Sequence, residues 1–133
     1  MRVVVIDGQG GGVGKALVEQ ISQKCPKAEV VAVGTNSMAT ANMLKGAKIV
    51  GATGENAVLY NSRKADVIVG PMGIIRADAM LGEITSGMAE AIASSAAQIM
   101  LVPMSKCGIY IAGVQEKKIA DYIEDIAVRI SEL

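Results

Sequence analysis

The chain has 133 residues, 13 Lys and Arg against 13 Asp and Glu, 51% apolar residues and a mean hydropathy of +0.40. That is one domain with a full core, and no stretch approaches the roughly 18 uninterrupted apolar residues of a membrane span, so no membrane partner is expected. Balanced charge with three Tyr and no Phe or Trp argues against a nucleic-acid surface. With no His, Ser-His and Cys-His pairs and His metal sites are excluded, and Cys25 and Cys107 lack the spacing of metal ligands.

Val3 to Ile6 is a β-branched apolar run that predicts a buried strand. Five of the next eight residues are glycine: Gly8, Gly10, Gly11, Gly12 and Gly14. From Val13 the period is helical, with Ala16, Leu17 and Ile21 on one face and Pro26 beyond the last turn. A strand, a glycine loop and a helix N-terminus make an anion site. Glycine lets the backbone approach a ligand, and the free N–H groups and dipole of the helix favour phosphate. Asp7 stands beside that phosphate and would repel it, unless its carboxylate accepts the loop's own N–H groups or a ligand hydroxyl.

Three glycine motifs compete for this loop. A P-loop needs a first Gly where Gln9 stands and a Mg²⁺-binding hydroxyl where Ala16 stands, so a nucleoside-triphosphatase is not expected. The loop also resembles the variant P-loop of partition-type ATPases at Gly11 to Lys15, but that motif's signature lysine is replaced by Gly10. Gly-x-Gly-x-x-Gly begins at Gly8 and Gly10 and meets Val13 at its third place. The looser Gly-x-x-x-Gly-x-Gly fits at Gly8, Gly12 and Gly14, the spacing of short-chain dehydrogenases/reductases, whose first helix the segment GGGVGKALVEQI resembles. The bland alternative is a loop that only lets helix and strand pack closely.

Glu29 to Gly34 predicts a second strand, completing a βαβ unit. Dinucleotide sites for NAD place an acid at the end of this strand; here Thr35, Asn36 and Ser37 follow. Without a carboxylate to repel it, a 2′-phosphate could accept from these side chains, which tilts the expectation toward NADP over NAD. Alternatively, Thr35 or Ser37 simply N-caps the helix carrying Met38, Ala41 and Leu44. Ala47 to Val50 predicts a third strand, and a short helix runs through Tyr60. Tyr60 and Lys64 have the Tyr-x-x-x-Lys spacing of the dehydrogenase catalytic pair but precede the fourth strand, so they are read as solvated helix residues.

Asp66 to Gly70 predicts the fourth strand. Its exit loop, with Gly70 and Gly73, is a second place where backbone could approach a ligand. A helical crossover is expected over 74–97, with Ile84, Met88 and Ile92 as its core stripe. Ile99 to Val102 is a fifth strand, 103–108 its turn, and Ile109 to Val114 a possible sixth strand. The last helix carries Ile119, Ile123, Ile126, Ile130 and Leu133 on one face, with Asp125 and Arg129 as an i,i+4 pair. Alternating strands and helices predict an α/β, doubly wound, mostly parallel sheet in order 3-2-1-4-5. Its ligand edge collects the loops at 7–14, 34–37, 70–73 and 103–108, including Lys15, Ser105, Lys106 and Cys107. The 103–108 turn reads as solvated, although Lys106 beside Cys107 could depress a thiol pKa.

The segments VVIDGQGGGVGKALVE, VAVGTNSMATA, GATGENAV, GPMGI, LGEITSGMAEAI and the KC pair at 106–107 resemble a family of short bacterial proteins of unknown function with a Rossmann-like fold. The resemblance spans nearly the whole chain. It implies the fold, the size and a bacterial cytoplasmic setting, and brings no catalytic residue with it. The short-chain dehydrogenase resemblance implies only that Gly8, Gly12 and Gly14 are cofactor-loop glycines.

The expected function is therefore a cytoplasmic binding or regulatory module for a nucleotide, NAD(P) before others. Its contacts are expected from Gly8, Gly10, Gly11, Gly12, Val13 and Gly14, from Thr35, Asn36 and Ser37, and from Gly70 and Gly73. The alternatives are a small NAD(P)-dependent oxidoreductase using the 70–75 and 103–108 loops, and an interaction protein without nucleotide. The apolar, alanine-rich composition leads us to expect a homo-oligomer, a dimer.

Overall fold

The computed structural model describes residues 1–104 and 108–133. Five parallel strands form one sheet in the order β3-β2-β1-β4-β5: β1 (Arg2–Asp7), β2 (Glu29–Gly34), β3 (Val50–Thr53), β4 (Val67–Pro71) and β5 (Gln98–Val102). The helices are α1 (Gly12–Lys24), α2 (Ser37–Leu44), α3 (Glu55–Lys64), α4 (Ser86–Ala93) and α5 (Ile119–Ser131). The fold is the expected doubly wound α/β sheet. None of the helices among the described residues is long and apolar enough to cross a membrane.

Strand alternation builds two cores. Val3 and Val5 of β1 point to the side covered by α1 and α5, where Leu17, Ile21, Ile126 and Ile130 are buried. Val4 and Ile6 point to the opposite side, covered by α3 and α4 through Val58, Met88 and Ile92. A central strand buried on both faces must be apolar at every position, which is why β1 reads as an unbroken run. β1 pairs with β2 from Arg2–Glu29 through Asp7–Gly34, and with β4 from Val3–Val67 through Val5–Val69. The carboxyl ends of β1 and β4 therefore lie side by side, and the order of strands reverses between them. That is where open α/β sheets bind ligands.

Several expectations are corrected. The third strand is Val50–Thr53 rather than 47–50, because Ala47 N–H closes a turn onto the Leu44 carbonyl before the strand begins. The crossover is not one helix over 74–97. A 3₁₀ turn (Met72–Ile75) follows β4, a tight turn occupies 76–84, and only Ser86–Ala93 is α-helical. Asp78, Met80 and Leu81 take left-handed φ of 68°, 58° and 57°, and Gly82 follows at 91°, so no right-handed helix can pass through. Thr85 then caps the new helix by accepting from Met88 N–H at 3.1 Å. Residues 109–114 form no strand; Gly113 at φ 84° and a Val114-to-Ile111 backbone bond make a turn outside the sheet. On α5, Ile123, Ile126 and Ile130 are buried as expected, while Ile119 is exposed, as is Leu133 beyond the helix end. Asp125 and Arg129 do not close an ion pair; the pairs among described residues are Arg2–Glu29 and Lys15–Glu19.

Candidate functional site

The end of β1 decides the geometry of the glycine loop. Asp7 is buried, and its carboxylate accepts Gly8 N–H at 2.8 Å on one oxygen and Gly14 N–H at 2.6 Å on the other. It therefore caps the loop and takes one N-terminal donor of α1, which is the role open to it in the sequence that does not require a ligand. Burial pushes its pKa up; the two N–H bonds oppose this, and the nearby Glu83 carboxylate adds to the rise.

The remaining donors divide cleanly. Gly11 N–H bonds to the Gly8 carbonyl at 2.9 Å, and Gln9 N–H to Glu83 at 2.8 Å. Gly10, Gly12 and Val13 N–H have no acceptor among the described residues. Gly12 and Val13 are the first two residues of α1, so their N–H groups face outward along the helix axis, the arrangement that receives anions.

The five glycines divide the same way. A Cβ on Gly8 would lie 2.6 Å from Thr35 Oγ1 and 2.7 Å from Met80 Sδ. One on Gly11, where φ is +73°, would lie 2.7 Å from the Ala39 carbonyl oxygen. One on Gly14 would run into the Met43 sulfur and lie 2.8 Å from Asp7 Cβ. These three glycines are needed for packing. Gly10 and Gly12 face open space, with nothing within 4 Å of a built Cβ.

That space is a cavity of about 820 Å³, floored by the glycine loop through Val13 and walled by Pro71, Met104, Ile123 and the 76–81 turn. It opens between the ends of β1 and β4. Arg76 and Asp78 are charged groups in its wall. Of the residues singled out in the sequence, Gly8, Gly10, Gly11, Gly12 and Val13 line it. Gly14 packs behind it. Gly70 does not line it: its Cα faces the Ile6 carbonyl of the neighbouring strand, so the missing side chain serves sheet packing. Gly73 is buried within the 3₁₀ turn. Ser105, Lys106 and Cys107 lie outside the described residues.

Thr35 and Asn36 are drawn together by a residue that the sequence reading missed. One oxygen of Glu83, Oε1, accepts from Thr35 Oγ1 at 2.6 Å, from Asn36 Nδ2 at 2.8 Å and from Gln9 N–H at 2.8 Å. Burial pushes the Glu83 pKa up, but the bonds from Thr35, Gln9 and Asn36 together hold it below its ordinary value. The expected carboxylate-free tip of β2 is thus corrected: an acid stands there, delivered from the turn after β4. The helix cap is neither Thr35 nor Ser37 but Asn36, whose Oδ1 accepts Ala39 N–H at 2.8 Å. Ser37 is exposed at the start of α2. Tyr60 and Lys64 lie on α3, with the ammonium 5.7 Å from the ring centre, and neither lines the cavity.

Comparison with curated proteins finds no match. Among solved structures the chain is similar to the crystal structure of a dodecameric FMN-dependent UbiX-like decarboxylase from Escherichia coli O157:H7. The identity is 16% and the TM-score 0.47, covering 100% of this chain and 77% of that one. A likeness of that degree carries no argument about ligand, assembly or activity. A family model described as "Domain of unknown function (DUF3842)" matches residues 2–133, and the chain belongs to that family.

Proposed function

We propose that the protein is a binding or regulatory module for a nucleotide, whose phosphate sits on Gly12 and Val13 N–H in the cavity between β1 and β4. The observation that carries this reading is the division of the loop. Packing accounts for Gly8, Gly11 and Gly14, and leaves Gly10 and Gly12 bare toward a cavity where two helix N–H groups lack acceptors among the described residues. A side chain at either position would fill the space a phosphate needs, and no internal contact explains their absence. NAD(P) belongs to this class of ligand, but the preference for NADP does not survive Glu83. A 2′-phosphate beside Thr35 and Asn36 would face that carboxylate.

The enzymatic alternative places a substrate on the 70–75 and 103–108 loops. Pro71 and Met104 of those loops do line the cavity. Among the described lining residues the groups able to act as nucleophile or base are the carboxylates of Asp7 and Asp78, and Asp7 is already engaged by the Gly8 and Gly14 N–H groups, which favours binding over chemistry. A homo-oligomer, taken as a dimer, and a cytoplasmic setting complete the proposal.

The test is a thermal-shift panel with AMP, ATP, GTP, FMN, NAD, NADH, NADP and NADPH. A ligand at about 100 times its Kd adds about 2.7 kcal/mol, a shift of several degrees. Gly12→Val is expected to fold and to lose the shift, because its side chain enters the cavity rather than the core. If no compound shifts the wild type, the reading fails. If Gly12→Val responds as the wild type does, the phosphate does not lie on this loop.

A further inference from the structure

Resting on the nucleotide reading above, we infer that the cavity takes a ligand with a single nucleoside, a mononucleotide-like phosphate monoester, and that Glu83 is the residue that bars a dinucleotide. A dinucleotide lies across the loop and sets its second ribose at the tip of β2, where an acid at that strand's end receives the hydroxyls. In this chain that ground is already filled. Glu83 Oε1 holds three donors from the β1 loop and the β2 tip, and it lies 3.0 Å from a Cβ built on Gly8, with Met80 Sδ at 2.7 Å. A ribose above Gly8 would have to displace both side chains.

The same side is closed from below. Asn36 Nδ2 donates to the Gln9 carbonyl at 3.0 Å, and Asn42 Nδ2 to the Gly10 carbonyl at 2.8 Å. Gly11 is backed against the Ala39 carbonyl. The loop is stitched to α2 by these bonds. The cavity lies the other way, over Gly10 and Gly12 toward Pro71, Met104 and Ile123. That wall is apolar and suits the flat face of one base or ring.

The turn that delivers Glu83 is strained. Asp78, Met80 and Leu81 hold positive φ without being glycine, and Leu81 is 98% exposed. Gln9, which gives its N–H to Glu83, is also left-handed at φ 50°. Such conformations persist only where surrounding contacts over-determine them, and they gather at sites of function. Here the contacts that hold the turn down are those that occupy the second-nucleoside position.

Isothermal titration of the wild type, Glu83→Ala and Met80→Ala with AMP, nicotinamide mononucleotide, FMN, NAD and NADP tests this. Met80→Ala opens the same ground without touching the Glu83 hydrogen bonds, so a folding defect in Glu83→Ala leaves the question answerable. The expected result is a mononucleotide bound by the wild type at least about tenfold more tightly than NAD, with NAD gaining about tenfold in either variant and the mononucleotide changing by less than about threefold. If the wild type binds NAD as tightly as any mononucleotide and Glu83→Ala weakens it, Glu83 is a ribose-binding acid. The inference then falls while the nucleotide reading stands. If none of the five binds any of the three proteins, the nucleotide reading fails and takes the inference with it.

Discussion

Adjacent glycines of the loop are expected to respond to the same substitution with opposite signs. Gly11 has φ +73°, and a Cβ there lies 2.7 Å from the Ala39 carbonyl oxygen, a backbone atom that cannot swing aside. Left-handed backbone costs a side chain about 1–2 kcal/mol and overpacking about 1–3 kcal/mol, so Gly11→Ala should lose about 3 kcal/mol. Gly12 is outside the left-handed region, at the first residue of α1, and a Cβ there touches nothing. Gly12→Ala restricts the unfolded chain without strain in the fold and should gain about 0.5–1 kcal/mol. For 133 residues an unfolding entropy of about 2.1 cal/mol/K per residue makes 1 kcal/mol worth about 3–4 °C in Tm. The pair should therefore separate by more than about 10 °C, with the wild type between them. Thermal melts without ligand, checked by urea midpoints, read this directly. A Gly11→Ala protein as stable as the wild type would refute the packing assignment. A Gly12→Ala protein destabilised by more than about 1 kcal/mol would show that Gly12 also serves packing and would remove the main support for a phosphate there.

Two further substitutions probe the core and the cap. Ile130→Ala removes a fully buried side chain from the α1–α5 core and should cost about 2–5 kcal/mol in urea unfolding, whereas Leu133→Ala, on an exposed residue, should stay within about 0.5 kcal/mol. Because burial raises the Asp7 pKa above 3.8 in the fold, the stability linked to Asp7 is full below pH 3.8 and is lost as pH rises through the folded value. Asp7→Asn lacks that titration and leaves one of the Gly8 and Gly14 N–H groups without an acceptor, so its deficit against the wild type should be largest at low pH and shrink as pH rises. A deficit that grows with pH, followed by urea midpoints at several pH values, would contradict this.

The sheet was legible because burial on both faces leaves an unmistakable mark. Val3 to Ile6, Val30 to Val33 and Val67 to Val69 are all buried, and their β-branched runs name β1, β2 and β4 to within a residue. The edge strand β3 was harder. β3 has exposed residues at three of four positions, including Val50, so no apolar run marks its register. Residues 109–114 look like a strand because Ile109 and Ile111 imitate the alternation, yet Gly113 turns the chain and residues 110–114 stay exposed. The 76–84 turn was hidden for a different reason. Apart from Gly82 its left-handed residues are Asp, Met and Leu, and Met and Leu are residues that ordinarily signal helix.

The candidate site shows the limit of reading along the chain. The glycine spacing marked the loop that floors the cavity, because a strand end and a helix start are local features that four or five residues encode. It could not say which glycine faces the cavity. Gly8, Gly11 and Gly14 are glycine because of Thr35, Ala39 and Met43, three residues on or beside α2 that no spacing rule connects to the loop. The acid at the tip of β2 was sought near position 34 and found at 83, where the turn after β4 reaches back over the switch point. A carboxylate is recognised by the donors it collects in space. Thr35 and Asn36, read along the chain as groups for a ligand, are with the Gln9 N–H the donors of one internal acid. What remains for an external anion among the described residues is the N–H groups of Gly10, Gly12 and Val13, at and beside the two loop glycines that packing leaves unexplained.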